Sequence, residues 1–322
     1  MSEPKKRAPR NQTLTLSEPE IAQLSKRLLK PDHPLCTAEF SHKIMQGDFF
    51  TIIDFLPDHF VDLMILDPPY NLDKDFNGSK FAKRTNDAYI QYLESWFPKL
   101  LRLLKPHAQV YLCGDWKCSA ADYFIMSKYL HVQNRITWQR EKGRGSKSNW
   151  KNGCEDIWFG TMDKEYYFNV ESVKIKKRVV APYRQNGEPK DWQKEQSGNY
   201  RLTHPSNFWD DISVPYWSMP ENTDHPTQKP EKLIAKLILA STQPGDFVFD
   251  PFLGSGTTAV AAKKLGRIFS GIERNQEYCC LGQTRLDKAE TDSTIQGYTD
   301  GVFWERNSLR AQRKKKPLPP PK

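Results

Sequence analysis

Two short segments of the 322-residue chain combine residue types and spacing that could carry out chemistry. The first is Asp67-Pro68-Pro69-Tyr70, which directly follows the apolar run Val61–Leu66. Its prolines stiffen the backbone and remove N–H groups, so the loop offers a carboxylate, outward carbonyl groups and an aromatic ring. The Asp67 carboxylate and the Pro68 carbonyl could accept both hydrogens of an exocyclic amine and aim its lone pair at an electrophile. Tyr70 could stack on the base, although a turn with a capping aspartate is the simpler interpretation.

The second segment is a glycine-rich loop that begins at Asp250, between a predicted strand and a predicted helix. Gly254 and Gly256 allow the backbone of this loop to approach a ligand closely. Glu273 ends the next predicted strand, where an acid commonly binds the ribose hydroxyls of a nucleoside. Simpler interpretations exist here too, because Asp250 could cap its own turn and Glu273 could be an exposed charge.

The elements around these segments alternate between predicted strands and helices. Strands are predicted at 61–66, 109–113, 132–138, 246–250 and 268–272, and helices at 89–104, 120–130, 233–240, 259–265 and 276–286. Such alternation predicts an α/β fold with a parallel, doubly wound sheet. Ligands bind at the carboxyl ends of the strands in sheets of this kind, so both segments are expected at one edge.

Together, the two segments resemble those of the exocyclic-amino DNA methyltransferases. The hexapeptide from His225 to Pro230 is similar to the family's segment beside the cofactor methionine, and Asp48 stands where members carry an acid near the cofactor adenine. Thr137-Trp138 and the stretch 155–158 look like the family's late sheet strands. The order, with Asp67 first and the glycine loop near the C-terminus, is that of the beta class. Over about residues 42–290, the resemblance implies a Rossmann-like S-adenosylmethionine methyltransferase sheet with an irregular target-recognition insert.

Transferred residue by residue, the resemblance implies that Asp67, Pro68, Pro69 and Tyr70 hold the target base. S-adenosyl-L-methionine is the implied methyl donor. The implied cofactor-binding residues are Asp48, Asp67, Thr227, Lys229, Asp250, Phe252, Gly254, Ser255, Gly256, Thr257 and Glu273. His225 is expected to order its loop rather than to act as a base.

Adenine N6, methylated after base flipping, is the acceptor that this resemblance favours. Aspartate in the first position of the tetrapeptide is usual for adenine-N6 enzymes, whereas cytosine-N4 enzymes more often carry serine. Cytosine-C5 methylation needs a cysteine nucleophile in a Pro-Cys pair, which the chain lacks. Cytosine-N4 methylation and a catalytically inactive DNA-binding relative stay open as alternatives.

Composition and resemblance together divide the chain into five expected parts. These are a flexible N-terminal arm (1–40), a catalytic half (41–162), a target-recognition insert (163–222), a cofactor-binding half (223–290) and a C-terminal extension (291–322) that is disordered at its end.

The formal net charge of +9 favours a polyanionic partner, because each neutralised phosphate releases counterions. Double-stranded DNA is the expected partner, and the resemblance adds a cognate restriction endonuclease and a homodimer as further ones. The expected DNA-binding residues lie in a basic, glycine-containing stretch and in the insert: Arg140, Lys142, Arg144, Lys147, Lys151 and Arg184. For any one of them, a solvated charge is the simpler interpretation.

The remaining sequence features exclude several classes of protein. None of the six cysteines forms a Cys-x-x-Cys pair, which argues against a zinc site and a disulfide framework. No apolar run is long enough to span a bilayer, and the charged residues 1–10 do not look like a signal peptide. We therefore expect a cytoplasmic protein with no membrane partner.

Overall fold

A computed structural model describes residues 8–76, 79–140, 149–180, 183–195 and 198–305. The helices are α1 Glu18–Leu24, α2 Thr37–Phe40, α3 Phe49–Ile52, α4 Asn86–Leu101, α5 Ser119–Tyr129, α6 Glu231–Ser241, α7 Thr257–Lys264 and α8 Gln276–Lys288. The strands are β1 Lys43–Gln46, β2 Val61–Leu66, β3 Lys74–Phe76, β4 Ser79–Phe81, β5 Leu104–Gly114, β6 His131–Gln139, β7 Cys154–Thr161, β8 Ile175–Arg178, β9 Arg184–Gln185, β10 Glu188–Pro189, β11 Gln193–Glu195, β12 Gly198–Thr203, β13 Phe208–Trp209, β14 Phe247–Asp250, β15 Ile268–Glu273, β16 Tyr298–Thr299 and β17 Val302–Trp304. Across these ranges, no helix is both long and apolar enough to cross a membrane.

Eight strands form the central sheet, in the order β1-β15-β14-β2-β5-β7-β6-β13. All neighbours are parallel except β7, which runs antiparallel to both β5 and β6. The sheet confirms the expected α/β fold, with β7 as the exception to the predicted parallel order.

The core has two layers because alternate side chains of a strand point to opposite faces of the sheet. Along β2, Met64 and Leu66 join the apolar cluster that contains residues of α4 and α5. Leu63 and Ile65 join the cluster that contains residues of α6, α7 and α8. Every residue of α6 is buried, which fixes the chain that precedes it.

The pairing of three central strands positions both chemical segments. Val248 and Phe249 of β14 pair with Leu63 and Met64 of β2, and β14 also pairs with β15. These strands are parallel, so their carboxyl ends lie side by side. The loops that follow them, which start at residues 67 and 251, therefore share one edge of the sheet.

The insert is not irregular, which corrects the expectation for residues 163–222. Strands β8, β11 and β12 form an antiparallel ladder, and β17 and β16 extend it to five strands. Strand β13 leaves the insert and pairs with β6 at the edge of the central sheet. Residues 298–304, placed by sequence in the C-terminal extension, thus belong to the insert's sheet, because they supply its missing backbone partners. The tail that was expected to be disordered begins outside the described residues.

Residues 8–40 pack against the main fold, so the prediction of a flexible arm is wrong for them. Leu28, Leu35 and Phe40 are buried in the two main clusters. Arg27 binds both carboxylate oxygens of Asp287 in α8, at 2.6 and 2.7 Å. These three apolar residues of a polar stretch are buried by distant parts of the chain, which local composition does not reveal.

Candidate active site

A cavity of about 610 Å³ opens at the carboxyl edge of β1, β15, β14 and β2. Its walls include Asp67 and Tyr70 from the first segment and Phe252 and Gly254 from the second. The volume is in the range of small-molecule and cofactor sites. Two segments far apart in sequence therefore meet in one cavity, as the parallel sheet predicted.

The cavity is lined by most of the residues that the sequence analysis assigned to the target base and the cofactor. Those that line it are Asp48, Asp67, Pro68, Pro69, Tyr70, Thr227, Lys229, Phe252, Gly254 and Glu273. Those that do not are Asp250, Ser255, Gly256 and Thr257. For these four, contact with a cofactor stays a prediction of the family resemblance.

Asp67, Tyr70 and Lys229 form a closed hydrogen-bonded group. The Lys229 ammonium donates to Asp67 Oδ2 at 2.6 Å and to the Tyr70 hydroxyl at 3.0 Å. The Tyr70 hydroxyl in turn donates to Asp67 Oδ1 at 2.9 Å. Burial and the Asp67 carboxylate raise the pKa of Tyr70 well above its ordinary value, so this hydroxyl stays protonated. The group fixes the direction in which the Asp67 carboxylate points.

Two further charged residues continue this group away from the cavity. Glu155 of β7 is almost completely buried, and its Oε2 lies 3.4 Å from the Lys229 ammonium. Arg140, which follows β6, donates to the other oxygen of Glu155. Burial alone would lower the pKa of Lys229, but the carboxylates of Asp67 and Glu155 outweigh it and hold that pKa above its ordinary value. The sequence analysis placed Glu155 in a family-like strand, at 155–158, but offered no reason to give it a role in the site.

Asp250 faces its own loop instead of the cavity. Its Oδ2 accepts from the Thr258 hydroxyl at 2.6 Å, and its Oδ1 accepts from the Phe252 N–H at 2.9 Å. Burial raises the pKa of Asp250 to about 7. Asp250 therefore caps its own turn through the Phe252 N–H, which was the simpler interpretation of this acid, and also binds the Thr258 side chain in α7.

Ser255, Gly256 and Thr257 hold α7 against α8. A Cβ at Gly256 would lie 2.8 Å from the Cα of Gly282 in α8, and Gly256 has φ +83°. Arg285 of α8 donates to the Ser255 carbonyl at 2.8 Å and to the Thr257 hydroxyl at 3.0 Å. The second glycine thus permits the close packing of α7 against α8.

Gly254 and Glu273 form the polar wall of the cavity on the β15 side. Gly254 has φ +54°, and a Cβ there would lie 3.0 Å from His225 Nε2. Glu273 accepts from the Gly254 N–H at 3.0 Å through one oxygen and from the Asn275 N–H at 2.6 Å through the other. Each carboxylate oxygen keeps a second acceptor position, so Glu273 can still bind hydroxyl groups.

Aromatic residues that the sequence did not single out form the apolar walls. Phe49, Phe50, Tyr92 and Tyr278 line the cavity beside the expected Phe252. The rings of Phe49 and Phe252 lie 5.1 Å apart between centroids. The cavity therefore offers flat apolar surfaces next to carboxylates, which suits a nucleoside.

Asp48 and His225 order the loops at the mouth of the cavity. Asp48 is the N-cap of α3 and accepts from the Phe50 N–H at 2.9 Å. The Nδ1 of His225 accepts from the Thr227 N–H at 3.3 Å, and its ring packs edge-on against Tyr278. Both contacts are structural, as expected for His225.

The expected DNA-binding residues differ in their exposure and contacts. Lys142, Arg144 and Lys147 lie outside the described residues. Lys151 and Arg184 are exposed, and the Arg184 guanidinium lies 5.5 Å from the centre of the Trp192 ring. Arg140 instead pairs with the buried Glu155, so its position does not support the expected phosphate contact. Among the described residues, no group of three or more His, Cys, Asp or Glu side chains could hold a metal ion.

The chain is similar to a known protein family and to several of its members. A family model described as DNA methylase matches residues 61–284, which is more than half of the chain. The DNA adenine methyltransferase YhdJ of Escherichia coli (strain K12) is 35% identical over 254 residues, covering 76% of this chain and 83% of YhdJ. The Type II methyltransferase M.HpaI of Haemophilus parainfluenzae is 34% identical over 235 residues, covering 72% of this chain and 70% of M.HpaI. The solved M1.HpyAVI–SAM complex matches with a TM-score of 0.52 and 25% identity, covering 76% of this chain and 98% of that one.

Proposed function

We propose a function for this chain from the premise that it belongs to the DNA methylase family, which methylates DNA with S-adenosyl-L-methionine. The chain is thus an S-adenosylmethionine-dependent DNA methyltransferase. Our proposal is that it methylates N6 of adenine in duplex DNA, after the target nucleotide has left the base stack. The observation that carries this proposal is that Asp67 and Tyr70 share one cavity with Gly254 and Glu273.

The residues on the β15 side of the cavity fit the cofactor. Glu273 keeps acceptor positions for ribose hydroxyls, and Phe49, Phe252 and Tyr278 offer surfaces for a flat ring. Gly254 leaves its side of the cavity open, because it has no side chain. When bound, the cofactor supplies an electrophilic methyl group on a sulfonium. The four selected residues outside the cavity would act by shaping these walls.

The first segment is suited to hold the amine that receives the methyl group. Each oxygen of Asp67 accepts one hydrogen bond within the protein and keeps a second acceptor position. The carboxylate and the Pro68 carbonyl would bind the amine hydrogens and localise the lone pair on nitrogen. The same carboxylate stabilises the positive charge that develops on that nitrogen. Tyr70, fixed by its hydroxyl, would present its ring to the base.

Two observations favour adenine over cytosine as the target base. The tetrapeptide begins with aspartate, which resembles the adenine-N6 enzymes, and YhdJ is named as a DNA adenine methyltransferase. Both bases carry an exocyclic amine, so the chemistry itself does not separate them. The identity of the methylated nucleoside is therefore the quantity to measure.

The test uses the purified full chain with methyl-labelled S-adenosylmethionine and unmethylated duplex DNA. After digestion to nucleosides, mass spectrometry should find the label in N6-methyladenine. Label in N4-methylcytosine would overturn the choice of base but not the reaction. DNA binding without any label transfer would show an inactive DNA-binding relative and overturn the proposal.

A matched pair of variants tests the role of Asp67. Asp67→Ala should reduce methylation by at least about 10²-fold, because it removes the principal acceptor for the amine. Asp54→Ala removes an exposed aspartate outside the cavity and should retain activity. Near-normal turnover by Asp67→Ala would contradict the assigned role. A cognate restriction endonuclease and a homodimer stay predictions of the family resemblance.

A further inference from the structure

Four charged side chains of alternating sign form a row beside the cavity. Arg140 binds Glu155, Glu155 faces Lys229, and Lys229 binds Asp67. The row runs from the end of β6, across β7 and the chain before α6, to the end of β2. It connects the carboxylate that would hold the target amine to Arg140, the residue that follows β6.

The hydrogen bonds of the Lys229 ammonium go to Asp67 and Tyr70, and Glu155 adds an ion pair. An ammonium group carries three donors. Here they face Asp67 at 2.6 Å, the Tyr70 hydroxyl at 3.0 Å and Glu155 at 3.4 Å. The family resemblance placed Lys229 in the segment beside the cofactor methionine, but its hydrogen bonds are with Asp67 and Tyr70, the groups that would hold the base.

The burial of these groups shows why Glu155 is needed. Lys229 is 8% exposed and Glu155 is 4% exposed, so neither charge is solvated by bulk water. Removing one partner of a buried ion pair is strongly destabilising, because it leaves the other charge buried and uncompensated. Glu155 therefore serves as a second anionic partner of the Lys229 ammonium beside Asp67, and Arg140 pairs with Glu155 in turn.

We propose that Lys229 is a positioning residue for the base-binding carboxylate of Asp67 rather than a cofactor ligand, and that Glu155 and Arg140 hold it in place. Lys229 fixes one oxygen of Asp67 directly and the other through Tyr70. The carboxylate thereby keeps one orientation before the base arrives, which lowers the cost of aligning the amine. This inference rests on the proposed function.

The first test replaces the lysine with a neutral residue of similar length, Lys229→Met. We expect the single-turnover methylation rate to fall by about 10²-fold, as for a small misplacement of a reacting group. The affinity for S-adenosylhomocysteine, measured by calorimetry, should stay within about twofold of the wild type, because the hydrogen bonds of Lys229 go to Asp67 and Tyr70. Lys263→Met is the control, since Lys263 pairs with Glu290 outside the cavity.

The outcomes separate the two roles of Lys229. A loss of S-adenosylhomocysteine affinity in parallel with the rate would make Lys229 a cofactor ligand and overturn the inference. A methylation rate near that of the wild type would overturn it as well. If the wild type binds S-adenosylhomocysteine but methylates no DNA, the proposed function fails and the inference falls with it. That result concerns the wild type, so it is distinct from the two outcomes for Lys229→Met.

A second variant guards against a folding defect, because Lys229→Met removes a buried cation that Asp67 and the buried Glu155 both face. Glu155→Gln keeps the size of the side chain and the contact between Lys229 and Asp67. It should lower the single-turnover rate by about tenfold and leave the affinity for S-adenosylhomocysteine unchanged. The double variant Glu155→Gln/Lys229→Met removes the charge of Glu155 together with that of Lys229. A wild-type rate in Glu155→Gln and in the double variant would overturn the proposal.

Discussion

Replacing Gly256 with alanine tests whether the second glycine of the loop packs helices or contacts the cofactor. A Cβ at this position would lie 2.8 Å from the backbone Cα of Gly282, and the residue has φ +83°. The left-handed conformation costs an alanine roughly 1–2 kcal/mol. Forcing the two helices apart adds about 1–3 kcal/mol, as for other overpacked sites.

Gly245→Ala is the matched control, because Gly245 has φ +90° but no described atom within 4 Å of a Cβ. It should lose only the conformational part, roughly 1–2 kcal/mol, whereas Gly256→Ala should lose about 2–5 kcal/mol. Denaturant unfolding of both variants measures this difference, and calorimetry measures the affinity of the folded proteins for S-adenosylhomocysteine. Equal losses of stability would refute the packing argument. A large loss of affinity for S-adenosylhomocysteine in Gly256→Ala would show that Gly256 contacts the cofactor.

Three further predictions concern the loop and the DNA surface. Gly254→Val should abolish S-adenosylhomocysteine binding, because its side chain would be strained and would meet His225; unchanged affinity by calorimetry would count against this reading. Burial raises the pKa of Asp250 to about 7, so the folded chain binds more protons than the unfolded chain between the ordinary aspartate pKa and that value. The free energy of unfolding should therefore fall as the pH rises through this window, and Asp250→Asn should remove that part of the fall in denaturant titrations. Neutralising Lys151 or Arg184 with glutamine should lower the slope of log affinity against log salt by about one each, and an unchanged slope would leave that residue outside the DNA interface.

The sequence predicted where the chemical groups lie along the chain better than it predicted where their side chains point. Asp67, Asp250 and Glu273 end or follow adjacent parallel strands, so their common edge could be inferred from the alternation of strands and helices. The direction of Asp250 could not, because it depends on hydrogen bonds to Thr258 and Phe252 that form only once the loop is folded.

Contacts between distant segments account for the other differences. Glu155 belongs to the site through Lys229 and Arg140, and no local pattern links a strand acid to a lysine in another part of the chain. The insert's sheet includes Val302–Trp304, whose pairing with β8 crosses most of the C-terminal half. In the same way, Phe40 lies in a polar stretch and is buried only by the main fold.

A crystal structure of the full chain with S-adenosylhomocysteine and an unmethylated duplex that contains the target site tests the central claim most directly. We predict that the cofactor product lies against Gly254 and Glu273, and that the exocyclic amine of an extruded adenine is hydrogen-bonded to Asp67 and faces the sulfur. A structure in which the product binds elsewhere, or in which Asp67 contacts no base, would contradict the account.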